Sequence, residues 1–413
     1  MTTVIVGAGI AGLWIAEQLL AAGIPGRHIK IVEKYEDVGG RIVTHKDGYE
    51  IGAGRIHESH RRTLDLIRRE HLTVRPISPQ IGWHKDRHSP ITKNVFSEIF
   101  LGMTDVMRTF PPEKLATSTI RDLLLPTKTE SILDLYPYRG ETEILRADLA
   151  LVAFNGEMGT NAGYYTVKEG LAALVRAMAA RLHTHGVHIQ LNTTVLDVRR
   201  YSSNKWKIMY KGGNIIADRV VMALHASALR RIPSVRKIPE ISRALRYLKM
   251  EPLTRIYARY PAPSGRPWFA DLPKFVTPGP LRYVIPINPA SGLIMISYTD
   301  AGDTRPWRGL RGTALADAIQ KAVRAEFPER VIPEPEWIRS YEWHDGCTYW
   351  KPGRYDFNVV AAAARDPASA PGLYCCGESF NTTGQQAWIE GALADAEMLW
   401  ADSLALDINV SHT

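Results

Sequence analysis

Two spacings of apolar residues alternate along this chain, and they separate predicted strands from predicted helices. Short continuous apolar runs, typical of strands buried on both faces, occur at residues 2–6 and 29–33. Between them, apolar residues follow a helical pattern through Leu20. Strand, glycine-containing turn, helix and second strand in this order predict a βαβ unit with two parallel strands.

The rest of the chain follows the same two spacings. Helical periodicity occurs at residues 60–70, 141–154, 167–183 and 315–326. Strand-like runs occur at residues 187–191, 193–198, 205–210, 219–224, 253–260, 281–287 and 293–299. Prolines cluster at residues 261–289 and 328–335, where we expect loops.

Composition limits the class of protein. The 413 residues are 45% apolar and 23% charged, which is typical of a globular protein with about two or three domains. No apolar run reaches the roughly 18 residues of a membrane span. A strand begins by Val4 and leaves no room for a signal peptide, so we expect a cytoplasmic protein without a membrane span. Cys347, Cys375 and Cys376 lack metal-ligand spacing, so we expect no metal site.

The net charge of +8 raises the question of a nucleic-acid partner. The basic residues are scattered as pairs, such as Arg61 with Arg62 and Arg199 with Arg200, and no block of five like charges occurs. No nucleic-acid-binding module is visible either, so we expect no nucleic-acid partner. The positive surface is either simply solvated or attracts anionic substrates.

The turn after the first strand, GAGIAG at residues 7–12, carries three glycines with separate tasks. Gly7 permits a tight turn, Gly9 lets backbone N–H groups approach a pyrophosphate, and Gly12 allows the helix to pack closely on the strand. Glu33 ends the second strand about 20 residues on, where it can accept hydrogen bonds from a ribose diol. A carboxylate at this position favours an unphosphorylated ribose. Further predicted contacts of this dinucleotide are Ile10, Ala11 and Lys34.

The residues that follow the acid favour a flavin over a nicotinamide. Gly39 and Gly40 let the chain pass close to a pyrophosphate, and Arg41 can neutralise it with several donors. Together with YEIGAGRI at residues 49–56, this glycine-glycine-arginine sequence resembles the flavin-dependent amine oxidase superfamily. That group includes monoamine and polyamine oxidases, L-amino-acid oxidases and their desaturase relatives. The resemblance implies FAD as the cofactor and adds Gly54 and Arg55 to its predicted site.

The resemblance also implies an α/β fold with two domains. One is a Rossmann-like FAD-binding domain of the GxGxxG type, built from discontinuous segments that we place at residues 1–74, 165–250 and 343–413. The other is an α+β substrate-binding domain, with a mixed sheet flanked by helices, at residues 75–164 and 251–342.

The C-terminal stretch resembles the second half of the family's grip on FAD. Gly377 and Glu378 resemble the pair that holds the ribityl chain and phosphates, and residues 388–392 resemble the aromatic-x-Glu-Gly-Ala helix start. The backbone N–H of Ile389 would face the flavin N1 and C2 carbonyl, where negative charge gathers on reduction. The remaining residues that the resemblance places beside FAD are Trp388, Ala392, Thr194 and Val195.

In monoamine-oxidase-like members, two aromatic side chains hold the amine above the flavin. Trp388 occupies one of these places. The other lies within residues 342–353, where we choose Tyr349 and keep Thr348 and Trp350 as alternatives. Aromatic faces at such a site hold a neutral or cationic amine and exclude water.

Arg255 departs from the family pattern. Polyamine oxidases carry a lysine at this place, linked through a water to flavin N5 and tied to oxygen reactivity. Arginine keeps the charge but cannot become a neutral amine. Arg255 therefore serves a modified oxygen reaction, binds a substrate carboxylate or phosphate, marks an inefficient oxidase, or lies at the surface of a misaligned strand.

Two other side chains leave alternatives open. Cys347 lies in a setting that resembles the site of covalent flavin attachment in monoamine oxidases, although an unreactive thiol is the other interpretation. His57 either caps the helix that begins near Ser59 or acts as a base.

The implied function is that of an FAD-dependent amine oxidase-like oxidoreductase. Such an enzyme oxidises a C–N bond of a small amine or amino acid by hydride transfer to flavin N5, with O2 reoxidising the flavin and H2O2 released. One alternative is a flavoenzyme of the same fold that acts on an anionic or apolar substrate, such as a desaturase, a protoporphyrinogen-oxidase-like enzyme or a sugar-nucleotide mutase. Another is a flavoprotein with weak or lost oxidase activity.

Overall fold

Two units, each built from separate stretches of chain, make up the protein. Its computed structural model describes residues 1–86, 88–93, 95–124, 133, 136–155 and 162–412. Unit 1 comprises Met1–Ile77, Gly163–Lys249 and Thr348–Thr413, and unit 2 comprises Ser78–Ala162 and Met250–Cys347.

The secondary structure of the described residues is as follows. The strands are β1 (Thr3–Val6), β2 (Ile29–Val32), β3 (Ile56–His57), β4 (Val74–Pro76), β5 (Gly82–Trp83), β6 (Thr92–Lys93), β7 (Tyr164–Val167), β8 (His188–Gln190), β9 (Val195–Ser202), β10 (Lys205–Tyr210), β11 (Gly213–Ala217), β12 (Arg219–Met222), β13 (Leu248–Arg259), β14 (Phe275–Val276), β15 (Tyr283–Asn288), β16 (Leu293–Asp300), β17 (Trp337–Trp350) and β18 (Leu373–Cys375). The α-helices are α1 (Ile10–Ala21), α2 (Arg61–Arg69), α3 (Val95–Arg108), α4 (Pro112–Ala116), α5 (Ile120–Leu124), α6 (Arg139–Glu143), α7 (Ala147–Ala153), α8 (Ala172–Thr184), α9 (Ala226–Arg230), α10 (Pro239–Tyr247), α11 (Gly312–Glu326), α12 (Phe357–Arg365), α13 (Ile389–Leu399) and α14 (Ala405–His412).

A parallel five-stranded sheet, in the order β18-β12-β1-β2-β8, organises unit 1. Its central strand β1 is buried along its whole length, which explains why its sequence is continuously apolar. Helix α1 is also buried around most of its circumference, with Leu13, Ile15 and Leu393 of α13 in one core. Because all five strands are parallel, their carboxyl ends lie at one edge of the sheet.

Two small antiparallel sheets complete unit 1. Strands β9, β10 and β11 form one, in the order β11-β10-β9, and β7 joins β3 to β4 in the other. The second of these sheets places Tyr164 beside His57 in register. It therefore brings together residues from the first and second segments of the unit.

A seven-stranded mixed sheet, in the order β17-β13-β16-β15-β14-β5-β6, organises unit 2. Its pairings are antiparallel at β13–β16 and β15–β16 and parallel at β14–β5. Ile256 and Ala258 of β13 share a core with Leu315, Ile319 and Val323 of α11, so this helix covers one face of the sheet. The parallel sheet of unit 1 and this mixed sheet together confirm the predicted fold class.

Three elements differ from the sequence prediction. The helix predicted at residues 141–154 is divided into α6 and α7, because Arg146 forms a backbone bridge with Thr119. Residues 167–183 begin with the end of β7, and α8 starts only after Gly170, whose φ of 84° turns the chain. The proline-rich residues 261–289 contain strands β14 and β15 as well as loops.

A buried carboxylate anchors the short helix α6. Asp300, at the end of β16, accepts the backbone N–H groups of Arg139 at 2.8 Å and Gly140 at 2.9 Å, one on each oxygen. Burial raises the pKa of Asp300 to about 7, although these two hydrogen bonds act in the opposite direction. The free-energy cost of burying the ionised Asp300 carboxylate therefore exceeds the stabilisation that its two hydrogen bonds provide.

This raised pKa makes the stability of the protein depend on pH. The unfolded carboxyl titrates near 3.9, so Asp300 favours folding most below about pH 4, and this contribution is lost as the pH rises through 7. We expect the free energy of unfolding of wild type, relative to Asp300→Asn, to fall by about 3 kcal/mol between about pH 4 and pH 8. Urea unfolding at both pH values measures this difference. Asp317→Asn, at an exposed site on α11, is the control and should show no such trend. A difference that grows with pH would contradict the assignment.

Candidate cofactor and substrate site

The loops that contain the predicted cofactor contacts lie at the carboxyl ends of the parallel strands in unit 1. Gly7 follows β1, Glu33 follows β2, and Gly377 follows β18. Strand β1 pairs with β2 on one side and with β12 on the other, so the chain leaves β1 at the point where the strand order reverses. In open parallel sheets, ligands bind at such a point.

The three glycines of the first turn have different surroundings in the structure. Gly7 has a φ of 109°, and a Cβ there would lie 2.5 Å from the carbonyl oxygen of Ala223. A Cβ on Gly12 would lie 2.2 Å from the carbonyl oxygen of Gly7. A Cβ on Gly9, by contrast, would have no described atom within 4 Å. Gly7 and Gly12 therefore serve close packing, whereas Gly9 borders open space at the start of α1, where Ile10 and Ala11 are buried.

The second pair of glycines runs beside the first. The N–H of Gly39 donates to the carbonyl of Ala8 at 2.8 Å, and Gly39 forms a parallel bridge with Gly9. Gly40 has a φ of 61°, and the nearest atom to a Cβ there would be Gly9 Cα at 3.8 Å. The two glycine segments thus form one continuous backbone surface next to the open space.

Glu33 lies at the adjoining strand end and is 5% exposed. Its two oxygens accept the backbone N–H groups of Ala8 at 2.8 Å and Tyr35 at 3.0 Å. An ionised carboxylate accepts about four hydrogen bonds, so Glu33 retains capacity for two hydroxyl groups. The backbone N–H of Thr193 donates to the Glu33 carbonyl at 2.7 Å, which brings the start of β9 to this strand end.

Three predicted contacts lie around Glu33. Thr194 is exposed, and Val195 is half-buried as the first residue of β9. Lys34 is exposed, with its Nζ 4.3 Å from the centre of the Tyr35 ring.

Arg41 and Glu378 form a bidentate ion pair that connects the two ends of the chain. Both guanidinium N–H···O distances are 3.0 Å. Glu378 also accepts the backbone N–H of Thr348 at 3.0 Å and the hydroxyl of Ser379 at 3.0 Å. Burial alone would raise the pKa of Glu378, but Arg41 and Thr348 hold this pKa below its ordinary value. Glu378 is therefore an ionised acceptor whose two oxygens both bind protein donors, and its predicted contact with the ribityl chain stays a prediction.

The helix start at residues 388–392 is fixed by close contacts. Trp388 is the N-cap of α13, and a Cβ on Gly391 would lie 2.0 Å from the carbonyl oxygen of Gln385. Glu390 is buried and accepts the backbone N–H of Thr63 at 2.9 Å and its hydroxyl at 2.8 Å, near the start of α2. These contacts set the direction of the α13 N-terminus, where Ile389 is buried and Ala392 is half-buried.

Aromatic and cationic side chains surround Trp388. The Arg55 guanidinium carbon lies 4.3 Å from the centre of the Tyr164 ring and 5.3 Å from that of Trp388. The two rings are nearly parallel, with centroids 6.1 Å apart and an interplanar angle of 16°. His60 contacts Trp388 edge to face at 5.0 Å, and His57 contacts Tyr164 at 4.8 Å. We call Arg55, His57, His60, Tyr164 and Trp388 the aromatic cluster.

Sequence reasoning found Arg55 and Trp388 but missed Tyr164. Little in the sequence indicated Tyr164, because it belongs to a short strand whose last residue falls within the helix predicted at residues 167–183. Gly54, directly before Arg55, is half-buried at the same place.

The structure favours one of the two alternatives for His57. Its Nδ1 accepts the backbone N–H of Ser59 at 3.2 Å, and a backbone N–H can only donate. The Nδ1 atom of His60 likewise accepts the backbone N–H of His57 at 3.1 Å. His57 therefore stabilises the turn before α2, whereas the N-cap of that helix is His60.

The end of β17 is tied to the C-terminal loop of the same unit. Trp350 donates its indole N–H to the carbonyl of Asn381 at 2.9 Å, and its backbone N–H to Gln386 at 2.9 Å. Thr348 donates to Glu378 on the same side. Because side chains alternate along a strand, Tyr349 points to the opposite face, and it is 3% exposed. Thr348 and Trp350 are thus engaged in holding the loop, which leaves Tyr349 as our preferred aromatic residue.

Arg255 belongs to unit 2, and the alternative that it lies at the surface is wrong. It is 8% exposed on β13, opposite Tyr298 of β16, and its guanidinium carbon lies 4.8 Å from the centre of the Tyr298 ring. Burial alone would lower the pKa of Arg255, but Tyr298 and Tyr257 raise it above its ordinary value. Arg255 is therefore a buried, permanently charged group.

The residues around Gly9 fit FAD in shape and in donor chemistry. Open space borders Gly9 and Gly40, the first N–H groups of α1 have no intrahelical acceptor, and Glu33 has spare acceptor capacity. Neither a metal site nor a membrane span was predicted from the sequence. Within the described ranges, three or more His, Cys, Asp or Glu side chains nowhere form a possible metal-binding group. Within the same ranges, each helix is too short or too polar to cross a bilayer.

Comparison with known proteins identifies the family of this chain. The family model of flavin-containing amine oxidoreductases matches residues 10–128 and 127–398. The L-amino-acid oxidase of Mus musculus is 25% identical over 365 residues, which cover 74% of this chain and 55% of that protein. The chain thus spans about half the length of the curated relative that it matches.

Solved structures show the same fold at low sequence identity. Putrescine oxidase bound to putrescine has a TM-score of 0.76 at 16% identity, covering 98% of this chain and 99% of that one. Cyclohexylamine oxidase from Brevibacterium oxydans IH-35A has a TM-score of 0.74 at 16% identity, covering 97% and 98% of the two chains. The resemblance seen in the sequence, the fold class and the FAD cofactor are thereby confirmed. The family model covers most of the chain, and this protein belongs to the family of flavin-containing amine oxidoreductases.

Proposed function

We propose that this protein is an FAD-dependent oxidase of small amines or amino acids. The observation that carries the proposal is the aromatic cluster at the N-terminus of α13, within the unit that also holds the glycine turns. FAD, when bound, would supply a two-electron acceptor, so that the hydride from the carbon beside the substrate nitrogen and a proton from that nitrogen would together reduce O2 to H2O2 and leave an imine for water to hydrolyse.

The proposed cofactor contacts divide among three groups. Gly9, Gly40 and the N-terminus of α1 lie beside the pyrophosphate, and Glu33 accepts the ribose hydroxyls. Arg41, held in place by Glu378, adds positive charge next to the glycines. The N-terminus of α13 would stabilise the negative charge that gathers on the ring system when it is reduced.

The proposed substrate contacts come from the aromatic faces. Trp388 and Tyr164 are nearly parallel, and their faces hold the amine in its neutral form while excluding water. Tyr349 serves as a further aromatic wall. Arg255, which departs from the family lysine, either serves a modified oxygen reaction, binds a substrate carboxylate or phosphate, or marks an inefficient oxidase.

Amino acids are favoured over simple amines by one observation. Arg55 places a permanent positive charge between Tyr164 and Trp388. A guanidinium recognises a carboxylate with two parallel hydrogen bonds, which a simple amine cannot use. The mouse relative named an L-amino-acid oxidase is consistent with this preference.

An anaerobic absorbance scan tests the proposed function. The protein loaded with FAD is mixed with a panel of amines and amino acids, and the flavin absorbance near its visible maximum is followed. Bleaching by one class, with peroxide formed after air is admitted, supports the proposal. If no amine or amino acid bleaches the flavin, the proposal fails and a non-oxidase of the same fold takes its place.

Arg55→Met provides a specific prediction for the amino-acid preference. We expect KM for an amino-acid substrate to rise about 10- to 100-fold, since a charge-assisted hydrogen bond contributes about 1.5–3 kcal/mol. KM for the corresponding amine without a carboxylate should change little. Steady-state peroxide release measures both. Arg61→Met, at an exposed position at the start of α2, removes the same charge and is the control. Equal effects of Arg55→Met on both substrates would exclude a carboxylate contact.

A further inference from the structure

The two faces of the mixed sheet in unit 2 differ in chemistry. On β13, Ile256 and Ala258 enter the core that α11 covers. Because side chains alternate, Arg255, Tyr257 and Arg259 lie on the opposite face. This face carries two arginines within one strand, where an apolar core would carry none.

The neighbouring strand β17 extends this charged face. Trp337 lies under Arg259, with the guanidinium carbon 5.5 Å from the ring centre, and Tyr341 contacts Tyr257 edge to face at 6.1 Å. Arg339, two residues after Trp337, also lies over its ring at 4.3 Å. The three β17 side chains are half-buried, so they are accessible from solvent. We call this face the arginine–aromatic strip, and its members are Arg255, Tyr257, Arg259, Trp337, Arg339 and Tyr341.

The strip concentrates positive charge. Arg259 and Arg339 both lie close to the Trp337 ring, and like charges at such separations repel. Within the described part of the chain, the Nε of Arg259 is buried and has no hydrogen-bond acceptor. Glu342 on the same strand pairs with Arg311 and lies at an alternate position, on the other face. The strip therefore combines flat aromatic surface with positive charge.

We propose that the arginine–aromatic strip binds a planar, negatively charged group. An aromatic carboxylate matches both features, since its ring stacks on Trp337 while its oxygens accept from Arg259 and Arg339. This binding does not depend on the proposed oxidase function. Of the two explanations for the positive surface of the chain, solvation and attraction of anions, this proposal supports the second.

Isothermal titration calorimetry with three matched probes tests the binding. Benzene-1,4-dicarboxylate is planar and charged, trans-cyclohexane-1,4-dicarboxylate is charged but not planar, and benzene-1,4-dicarboxamide is planar but neutral. We expect the first to bind about tenfold more tightly than either of the others, because only it uses both stacking and charge. Its affinity should also fall with added salt.

Four variants identify the residues responsible. Arg259→Met and Arg339→Met should each weaken binding of the planar dianion about tenfold, because each removes a charge-assisted hydrogen bond. Trp337→Leu should remove the preference for the planar probe while the salt dependence remains. Arg266→Met, at an exposed position of unit 2, lowers the net charge equally and should leave the affinity unchanged. Thermal unfolding of each variant shows whether it folds, and Arg259→Lys keeps the charge if the methionine variant does not fold.

Three outcomes would overturn the proposal. These are equal binding of the neutral planar probe, equal binding of the non-planar dianion, or the same loss of affinity in Arg266→Met as in Arg259→Met. Absence of measurable binding by every probe also overturns it.

Discussion

Replacing Gly12 by alanine will abolish tight FAD binding and lower the free energy of unfolding by about 3 kcal/mol. The added Cβ would lie 2.2 Å from the carbonyl oxygen of Gly7, and 3.2 Å from both the Cβ of Ala223 and the Cγ2 of Ile5. A backbone carbonyl cannot rotate away as a side chain can, so α1 must move away from the sheet. The same movement displaces the first turn of α1, on which the proposed pyrophosphate contact depends. Separately from the loss of stability, we expect this displacement to weaken FAD binding about a hundredfold, which is about 3 kcal/mol of binding free energy.

Two other glycines separate this packing effect from a cofactor contact. Gly9→Ala meets no described atom within 4 Å of its Cβ, so we expect unchanged stability without FAD but weaker FAD binding. Gly302→Ala, in unit 2, also meets nothing within 4 Å and should alter neither quantity. Fluorescence titration with FAD and urea unfolding of the cofactor-free protein measure both properties. Full FAD affinity in Gly9→Ala would show that the pyrophosphate does not approach this glycine.

The βαβ unit proposed to bind FAD could be predicted from sequence because its features lie close together along the chain. The apolar run of β1, the glycines at residues 7–12 and the acid at Glu33 lie within one βαβ unit, and each has a fixed offset from the others. The structure contains this unit with the expected parallel pairing. The mixed sheet was harder to predict from sequence, since β14 and β15 occur in a proline-rich stretch that resembles a loop.

Pairs of side chains that are distant in sequence could not be predicted this way. Arg41 and Glu378 are 337 residues apart, and neither hydrophobic periodicity nor spacing relates them. Tyr164 joins the aromatic cluster through the pairing of β3 with β7, which depends on the tertiary fold. The positions of such side chains follow from packing, and sequence reasoning alone therefore identified the charged and aromatic residues without their partners.

A second buried pair, Arg365 with Asp395, illustrates what such contacts do for the site. Arg365 on α12 donates its Nε to Asp395 on α13 at 2.6 Å, and also donates to the carbonyl of Phe380 at 3.1 Å. The other oxygen of Asp395 accepts the backbone N–H of Gly377 at 2.9 Å. Both ends of the turn at residues 377–380 are thus held by one ion pair.

The net contribution of this ion pair to the free energy of unfolding is small compared with the loss of stability when one partner is removed. Burial raises the pKa of Asp395 to about 6, although Arg365 and the N–H of Gly377 act in the opposite direction. The cost of burying the carboxylate therefore exceeds the attraction that it receives. Buried ion pairs of this kind can be replaced by apolar residues with little loss of stability, whereas removal of one partner leaves a buried charge.

Asp395→Ala should consequently lower the free energy of unfolding by about 3–5 kcal/mol, because Arg365 is left charged and buried. The double variant Arg365→Met with Asp395→Leu should recover most of this stability, as measured by urea unfolding of the cofactor-free protein. FAD affinity should not recover in the double variant, because Gly377 and Phe380 still lack the groups that fix their turn beside Arg41 and Glu378. Recovery of both properties would show that the pair serves stability alone. Recovery of stability without FAD affinity would show that its charges are retained to position the turn that carries the C-terminal half of the proposed cofactor site.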